Sequence, residues 1–394
     1  MQPIAASGSP QDRRRALTAG RFGDRLLCEP ESPSLPVRPS GSGCHALTSR
    51  EREQFSTEEL AKVLSHYDVG IIDDVVEFAR GSRRSPKLYL STQKGNFLLK
   101  RRARGKDSAA RVLVAHRLQQ FLAEHDFPVA RLSEARPNGD TLLRLDGYGY
   151  ELFEYVNGLD YDGGLASTFA AGRTLGEFHK LVAAYVPDPA PPRDCFHDAN
   201  AVRTGLNAIP SSLSAHDSVV GFEADLEQTI NALYQAYDAA ASEAERWGVT
   251  HTNVQIVHSD WHPGNLLFRD NQVVAVVDFD SVRIAPRVTD LANGALQFSI
   301  IATGSDPKDW PDYFDETRMK RFLLGYDQET AVSAEEIQAL VPLVIEALIA
   351  EAAVPIAATG SFGRMQGFGF LRMIKRKVRW LQKNASRLVT VLSA

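Results

Sequence analysis

Three residues set the problem: Asp260, Asn265 five positions on, and Asp278 thirteen beyond that. Each carries an oxygen that suits a hard cation such as Mg²⁺, which takes one or two carboxylates and fills its remaining positions with water and substrate phosphates. A carboxylate not committed to the metal can accept the proton of an attacking hydroxyl. The chemistry these residue types imply is phosphoryl transfer, where positioning and charge neutralisation carry most of the work.

The flanking sequence must bring them together. Val254 to Val257 reads as a short apolar strand and His258 to Asn265 as a polar loop. Leu266 to Phe268 and Val273 to Val277 read as two strands joined by the turn Arg269-Asp270-Asn271-Gln272. Such a hairpin returns Asn265 and Asp278 to one side, with Asp260 in the loop leading into it. A lone loop Asp is usually a cap or turn residue, and Asp140 and Asp270 are read that way. His262 is read as a brace of the loop.

Around this centre the chain divides. Residues 1–50 hold six of the twenty prolines, many Ser and Gly, and little periodicity; they read as a disordered tail. Arg13, Arg14 and Arg15 lack a following apolar stretch, which excludes a secretory signal; a weak transit-peptide flavour or an early start codon are the other readings. Residues 51–155 form a small antiparallel sheet crossed by one helix. Ser56-Thr57-Glu58-Glu59 is a capping box with a Phe55–Leu60 staple, opening a helix that runs to about His66. Strands fall at 75–79, 87–91, 96–100, 141–145 and 150–155, and a helix at 107–125. Residues 156–394 are mostly helical, with helices at 169–182, 220–247, 318–326, 333–340 and 369–392. The apolar tract 340–359 reads as a buried helix pair. The fold class is α+β, in two lobes.

Bulk properties exclude other functions. A net charge of −5 is wrong for a polyanion binder, and the basic run Arg372–Arg379 reads as a solvated face, so no nucleic-acid partner is expected. The apolar tract is interrupted by Pro342, Glu346, Glu351 and Pro355, so no membrane span is expected. Cys28, Cys44 and Cys195 are scattered, without a CxxC; they read as thiols of a reducing cytosol, giving a cytoplasmic localisation.

The pattern His258-x-Asp260-x-His262-x-x-Asn265 with Val277-Asp278-Phe279-Asp280 resembles the aminoglycoside phosphotransferase/choline kinase family, which includes type II homoserine kinase-like proteins. The resemblance extends over about residues 55–300: Leu98-Leu99-Lys100 looks like the nucleotide lysine on a third strand, Phe127-Pro128-Val129 like the segment after the crossing helix, Glu151 to Gly158 like the hinge, and Leu175-Gly176-Glu177-Phe178-His179 like a C-lobe helix. It implies a bilobal protein-kinase-like fold. The N-lobe (51–155) would bind nucleotide, and the C-lobe (156–394) would carry the catalytic loop and the acceptor. It also implies roles: Asp260 as catalytic base, Asn265 and Asp278 as Mg²⁺ ligands, Lys100 on the ATP phosphates, backbone around Glu154 and Val156 on adenine, and Asp290 as a brace of the catalytic loop. The implied activity is an ATP- and Mg²⁺-dependent kinase acting on a hydroxyl of a small-molecule acceptor: an amino acid, amino alcohol, aminoglycoside or sugar-like compound. The alternatives are a protein Ser/Thr kinase of the same fold and a nucleotide-binding pseudokinase.

The chain departs from that family at two points. Of its Gly-rich loop only Gly81 remains, and Arg83 and Arg84 beside it are read either as phosphate neutralisers or as a solvated loop. The crossing helix offers no Glu for Lys100 before Glu124 at its end; His116, Gln120 or another partner must serve. No Walker A sequence is present, which argues against a P-loop NTPase. For the acceptor, the candidates are 160–164, Trp261 and 346–364. Glu346 and Glu351 there either bind a cationic amine or pair with Arg364 or Arg372, and Gly360 to Gly363 is read as a close approach to a ligand or as a turn.

Overall fold

The capping box at Ser56 forms as its sequence requires: the Ser56 hydroxyl accepts from the Glu59 N–H at 3.1 Å, and the Glu59 carboxylate accepts from the Ser56 N–H at 3.3 Å. It opens α1 (Thr57–Leu64), with Phe55 and Leu60 both packed on the N-lobe core. The computed structural model describes residues 52–105, 108–213 and 219–394; the tail expected at 1–50, with Cys28 and Cys44, lies outside the described residues.

The N-lobe consists of β1 (Ile72–Glu77), β2 (Lys87–Thr92), β3 (Gly95–Arg101), α2 (Ala109–Glu124), β4 (Leu132–Ser133), β5 (Leu143–Leu145) and β6 (Tyr148–Glu154). They form an antiparallel sheet of order β1-β2-β3-β6-β4, with β5 on β6. Leu90, Leu99 and Leu152 are fully buried on its core side. β1 begins three residues before the expected start, and Arg136-Pro137 in the loop between β4 and β5 is a cis bond.

The C-lobe begins with α3 (Leu165–Val182), α4 (Asn200–Leu213) and α5 (Glu223–Glu245). The expected strand-rich stretch follows as β7 (Val254–Val257), β8 (Leu266–Arg269) and β9 (Gln272–Val276), joined by a fourth strand the sequence reading did not include, β10 (Arg283–Pro286). β8 and β9 make the hairpin through Asp270 and Asn271, both at positive φ, the conformation that a two-residue hairpin turn demands. β10 pairs with β7, Arg283 opposite Val257. Then come α6 (Arg287–Ser299), α7 (Glu316–Glu329), α8 (Ala334–Thr359), the short β11 (Ser361–Phe362) and β12 (Met365–Gln366), and α9 (Gly367–Ser393).

Two expectations are corrected here, and one open reading is decided. The apolar tract is one continuous 26-residue helix, α8, running through Pro342 and Pro355; burial on α4, α5, α6 and α9 offsets a proline cost of about 3 kcal/mol each. By length and composition α8 could cross a bilayer, but most of it is buried inside the protein. Glu346 does not meet Arg364 or Arg372: it accepts from the His197 ring at 2.9 Å and from the Asp198 N–H at 2.9 Å, whereas Arg372 binds Asp225 and Glu351 accepts from Gln297. Gly360 to Gly363 is a turn: Gly360 caps α8 at φ 72° and Ser361–Phe362 pairs with Met365–Gln366.

α3 crosses α7 through glycine. A Cβ at Gly172 would lie 1.9 Å from the Phe322 carbonyl oxygen, and one at Gly325 would lie 2.1 Å from that of Phe169. On helix propensity alone Gly172→Ala would stabilise by about 1 kcal/mol. The clash reverses the sign, and we expect a loss of about 1–3 kcal/mol or more, read as a lower urea midpoint. A midpoint at or above wild type would refute the close crossing.

Backbone and ionic contacts join the lobes. Val276 N–H donates to the Pro128 carbonyl at 2.7 Å. Arg80, in the loop after β1, reaches Asp160 beyond β6 at 2.6 Å, both side chains about half exposed. Within the C-lobe, Leu159 and Phe268 exchange backbone hydrogen bonds at 2.7 and 2.8 Å.

Candidate active site

The loop between β7 and β8 is held from below. Asp290, buried on α6, accepts from the N–H groups of His258 at 2.5 Å and Ser259 at 2.7 Å. Its Oδ2 also lies 3.2 Å from His179 Nε2, whose other ring nitrogen meets the Tyr326 hydroxyl at 2.7 Å. His179 stands on α3 and Tyr326 on α7, so the glycine crossing of those helices supports the loop through two hydrogen bonds. Ser259 takes a left-handed φ of 61°, a strained state for a non-glycine residue that these bonds stabilise. Asp290 thus does what the resemblance implied.

Above this support Asp260 and Asn265 meet directly. Asn265 Nδ2 donates to the Asp260 carboxylate at 3.0 Å and to its own-loop carbonyl, that of Asp260, at 3.1 Å. Both residues are buried. His262 caps the short turn at Pro263–Asn265, its Nδ1 accepting from the Gly264 N–H at 3.0 Å, while its Nε2 sits 3.7 Å from Asp260 Oδ1. The hairpin returns Val277 to the same place: its N–H donates to the Asn265 carbonyl at 2.9 Å. Asp278 follows at φ 68°.

From the N-lobe, Lys100 on β3 faces Glu151 on β6, Nζ to Oε2 3.2 Å. The two are partners in the strand register, so their side chains leave the sheet on one face. Glu151 is 1% exposed: Arg102 Nη1 and His116 Nε2, the latter at 2.8 Å, donate to its Oε1, while its Oε2 faces Lys100 as an ion pair without a hydrogen bond. Burial pulls the Lys100 ammonium down, but the carboxylates of Glu151, Asp280 and Asp278 raise it further, so it stays charged. Burial likewise pushes Glu151 up, and Lys100, His116 and Arg102 together hold it well below the usual carboxylate range. Arg102 extends its second arm to Asp280 at 2.5 Å.

His116 and Gln120 therefore do not replace the helix carboxylate that α2 lacks. The partner of Lys100 is a strand residue, with His116 as its helper. Sequence reasoning took Glu151 for part of the hinge. The signal available was a carboxylate between Tyr150 and Leu152 in a central strand, where an uncompensated buried charge is costly and demands a cation opposite.

The remaining expected site residues lie along the rim. Glu154 is exposed and its N–H is used by the Arg131 carbonyl at 2.8 Å; Tyr155 N–H is used by Asn96 at 2.8 Å. Val156 comes next, half-buried. The loop after β1 is pinned by a side chain: Arg52 Nη2 donates to the Ala79 carbonyl at 2.8 Å and Nη1 to that of Ser82 at 3.3 Å. Arg83 and Arg84 are exposed on it. Of the acceptor candidates, Asp160 is bound to Arg80, Trp261 is fully buried behind the loop, and Glu346 is held by His197. A cavity of about 280 Å³ opens where Arg111 and Val114 of α2 face Pro191, Pro192, Asp280 and Arg283.

The donor set fits a hard cation. Among the described residues no three His, Cys, Asp or Glu side chains converge as a metal cage. Asn265 donates through nitrogen, which leaves its amide oxygen for coordination, and Asp278 would add a carboxylate. One amide oxygen and one carboxylate, completed by phosphate and water, is the usual protein share of an Mg²⁺ shell.

The phosphotransferase enzyme family (APH) matches residues 75–350. Over 192 residues the chain is 27% identical to the serine/threonine protein kinase RdoA of Salmonella typhimurium, covering 44% of this chain and 51% of that protein. The chain spans about half the length of the curated relatives it matches. Among solved structures, the microcompartment-associated aminopropanol kinase superposes with a TM-score of 0.62 at 15% identity, over 84% of this chain and 98% of that one. The amicoumacin kinase hAmiN, in complex with AMP-PNP, Ca²⁺ and Ami, does so with a TM-score of 0.59 at 14% identity, over 84% and 94%. These structures share the bilobal, protein-kinase-like fold.

Proposed function

Because this chain belongs to the phosphotransferase enzyme family, we propose that it transfers the γ-phosphoryl group of ATP, with Mg²⁺, to a hydroxyl of a small-molecule acceptor. The observation that carries this reading is the meeting of Asp260 and Asn265 at the end of the hairpin that also delivers Asp278, opposite Lys100. The N-lobe to residue 155 would hold the nucleotide and the C-lobe from 156 the acceptor. Asp260 would take the acceptor's proton, Asn265 and Asp278 would hold Mg²⁺, and Lys100 would neutralise phosphate. The metal, when bound, would add charge neutralisation at the phosphates. Adenine would lie against the backbone of Glu154 and Val156.

A small acceptor is favoured by chain length. Only residues 279–286 separate Asp278 from α6, and four of them form β10, paired to β7. That leaves no long loop on which a protein substrate could lie. The likeness to RdoA nevertheless motivates a second reading, a protein Ser/Thr kinase.

The deciding experiment measures Mg²⁺-dependent ADP formation over homoserine, choline, ethanolamine, aminoglycosides, methylthioribose and simple sugars, beside labelling of a protein lysate. We expect one small acceptor to stimulate ADP formation, and the Asp260→Asn variant to lose that stimulation. Labelling of lysate proteins with silence across the small molecules would replace this reading by the second.

A further inference from the structure

We propose that Glu151 positions Lys100 for the nucleotide, and that Arg102 couples this pair to the segment bearing Asp278. A strand, rather than the N-lobe helix, then sets the lysine. The inference rests on the reading of the cleft as an ATP site, and goes beyond it by assigning roles to Glu151, Arg102, His116 and Asp280.

The arrangement follows from register. Lys100 and Glu151 are fixed opposite each other by the β3–β6 ladder, so their approach needs no movement of α2. Arg102, two residues on, emerges on the same face, with its N–H on the Gly149 carbonyl at 2.8 Å. One arm reaches Glu151 and the other reaches Asp280, two residues past Asp278. Bidentate guanidinium geometry suits such a bridge, because its fork is rigid and always charged. α2 contributes a single bond: His116 Nε2 holds Glu151, while its Nδ1 meets the Thr141 hydroxyl at 2.7 Å.

A purely structural staple would explain a buried Glu151–Arg102 pair. It does not explain why the third partner is Lys100, whose side chain is 21% exposed and on which Asp278 and Asp280 also act. Nor does it explain why the outer arm of Arg102 ends on Asp280, whose side chain is 38% exposed. Arg102, bonded to both Glu151 and Asp280, ties the lysine's partner to the segment that follows Asp278.

The test uses the full chain, with Mg²⁺-ATP as the probe, and reads nucleotide affinity, ADP formation and thermal melting together. Glu151→Gln is expected to lower kcat by about 10–100-fold, the range of one lost positioning interaction, with a smaller change in nucleotide KM. Adding His116→Glu to that variant returns a carboxylate to the lysine from the helix side and is expected to restore much of kcat. Asp280→Asn weakens the outer arm and removes the Asp280 charge from Lys100, at a partly exposed position; a reduced kcat with an unchanged melt is expected. Wild-type kinetics in Glu151→Gln, or a normally melting double variant no better than the single one, would overturn the proposal while leaving the ATP site standing. Absence of nucleotide binding by the wild type would overturn both.

Discussion

Asp260→Asn lowers phosphoryl transfer by about 10²–10⁴-fold, the usual contribution of a positioned general base, and leaves Mg²⁺-ATP binding nearly intact. This is the expected result, and geometry is the reason. Asp260 accepts from Asn265 Nδ2 at 3.0 Å, and an amide oxygen at the same place can accept that bond. The loop is fixed independently by Asp290 through His258 and Ser259. The substitution therefore removes proton acceptance and little else. Single-turnover rates against a nucleotide titration make the comparison, and full turnover in the variant would withdraw Asp260 from the role of base.

Asp278→Asn is expected to act at a different point, flattening the Mg²⁺ dependence of nucleotide binding and lowering turnover by about 10²–10⁴-fold, equivalent to the several kcal/mol a metal supplies. Asparagine is the informative choice. Asp278 sits at φ 68°, a left-handed state that Asn tolerates better than most residues, whereas Ala would add strain to the loss of charge. The amide keeps one neutral oxygen but no charge for a cation. A magnesium titration of ATP binding separates this variant from Asp260→Asn, which should keep the metal dependence. An unchanged titration would remove Asp278 from the metal site.

The parts of the site that lie close together in sequence were legible in it. Asp260, Asn265 and Asp278 fall within one loop and one hairpin, and the alternation of apolar strands with Asp270-Asn271 at the turn was enough to bring them together. The capping boxes at Ser56 and Ser333 were readable for the same reason, since both partners fall within one helical turn. Glu151 was not readable as the partner of Lys100, because that pairing depends on which strands become neighbours. α4 was missed although Val202, Leu206, Ile209 and Leu213 have helical spacing; Gly205 and Pro210 mask it, and both are tolerated only because α8 and α5 cover that face. The continuity of α8 through two prolines was hidden for a like reason: local propensity argues for a break, and tertiary burial overrides it.

The ion pairs that join the lobes differ in burial, and so in their response to salt. Arg80–Asp160, half-exposed at both ends, is worth about 0–1 kcal/mol and is screened over a Debye length of about 8 Å at physiological salt. In Arg102–Asp280 the guanidinium is buried, and screening reaches such a pair much less. Rising ionic strength therefore releases the tie at the rim before the one beside Glu151.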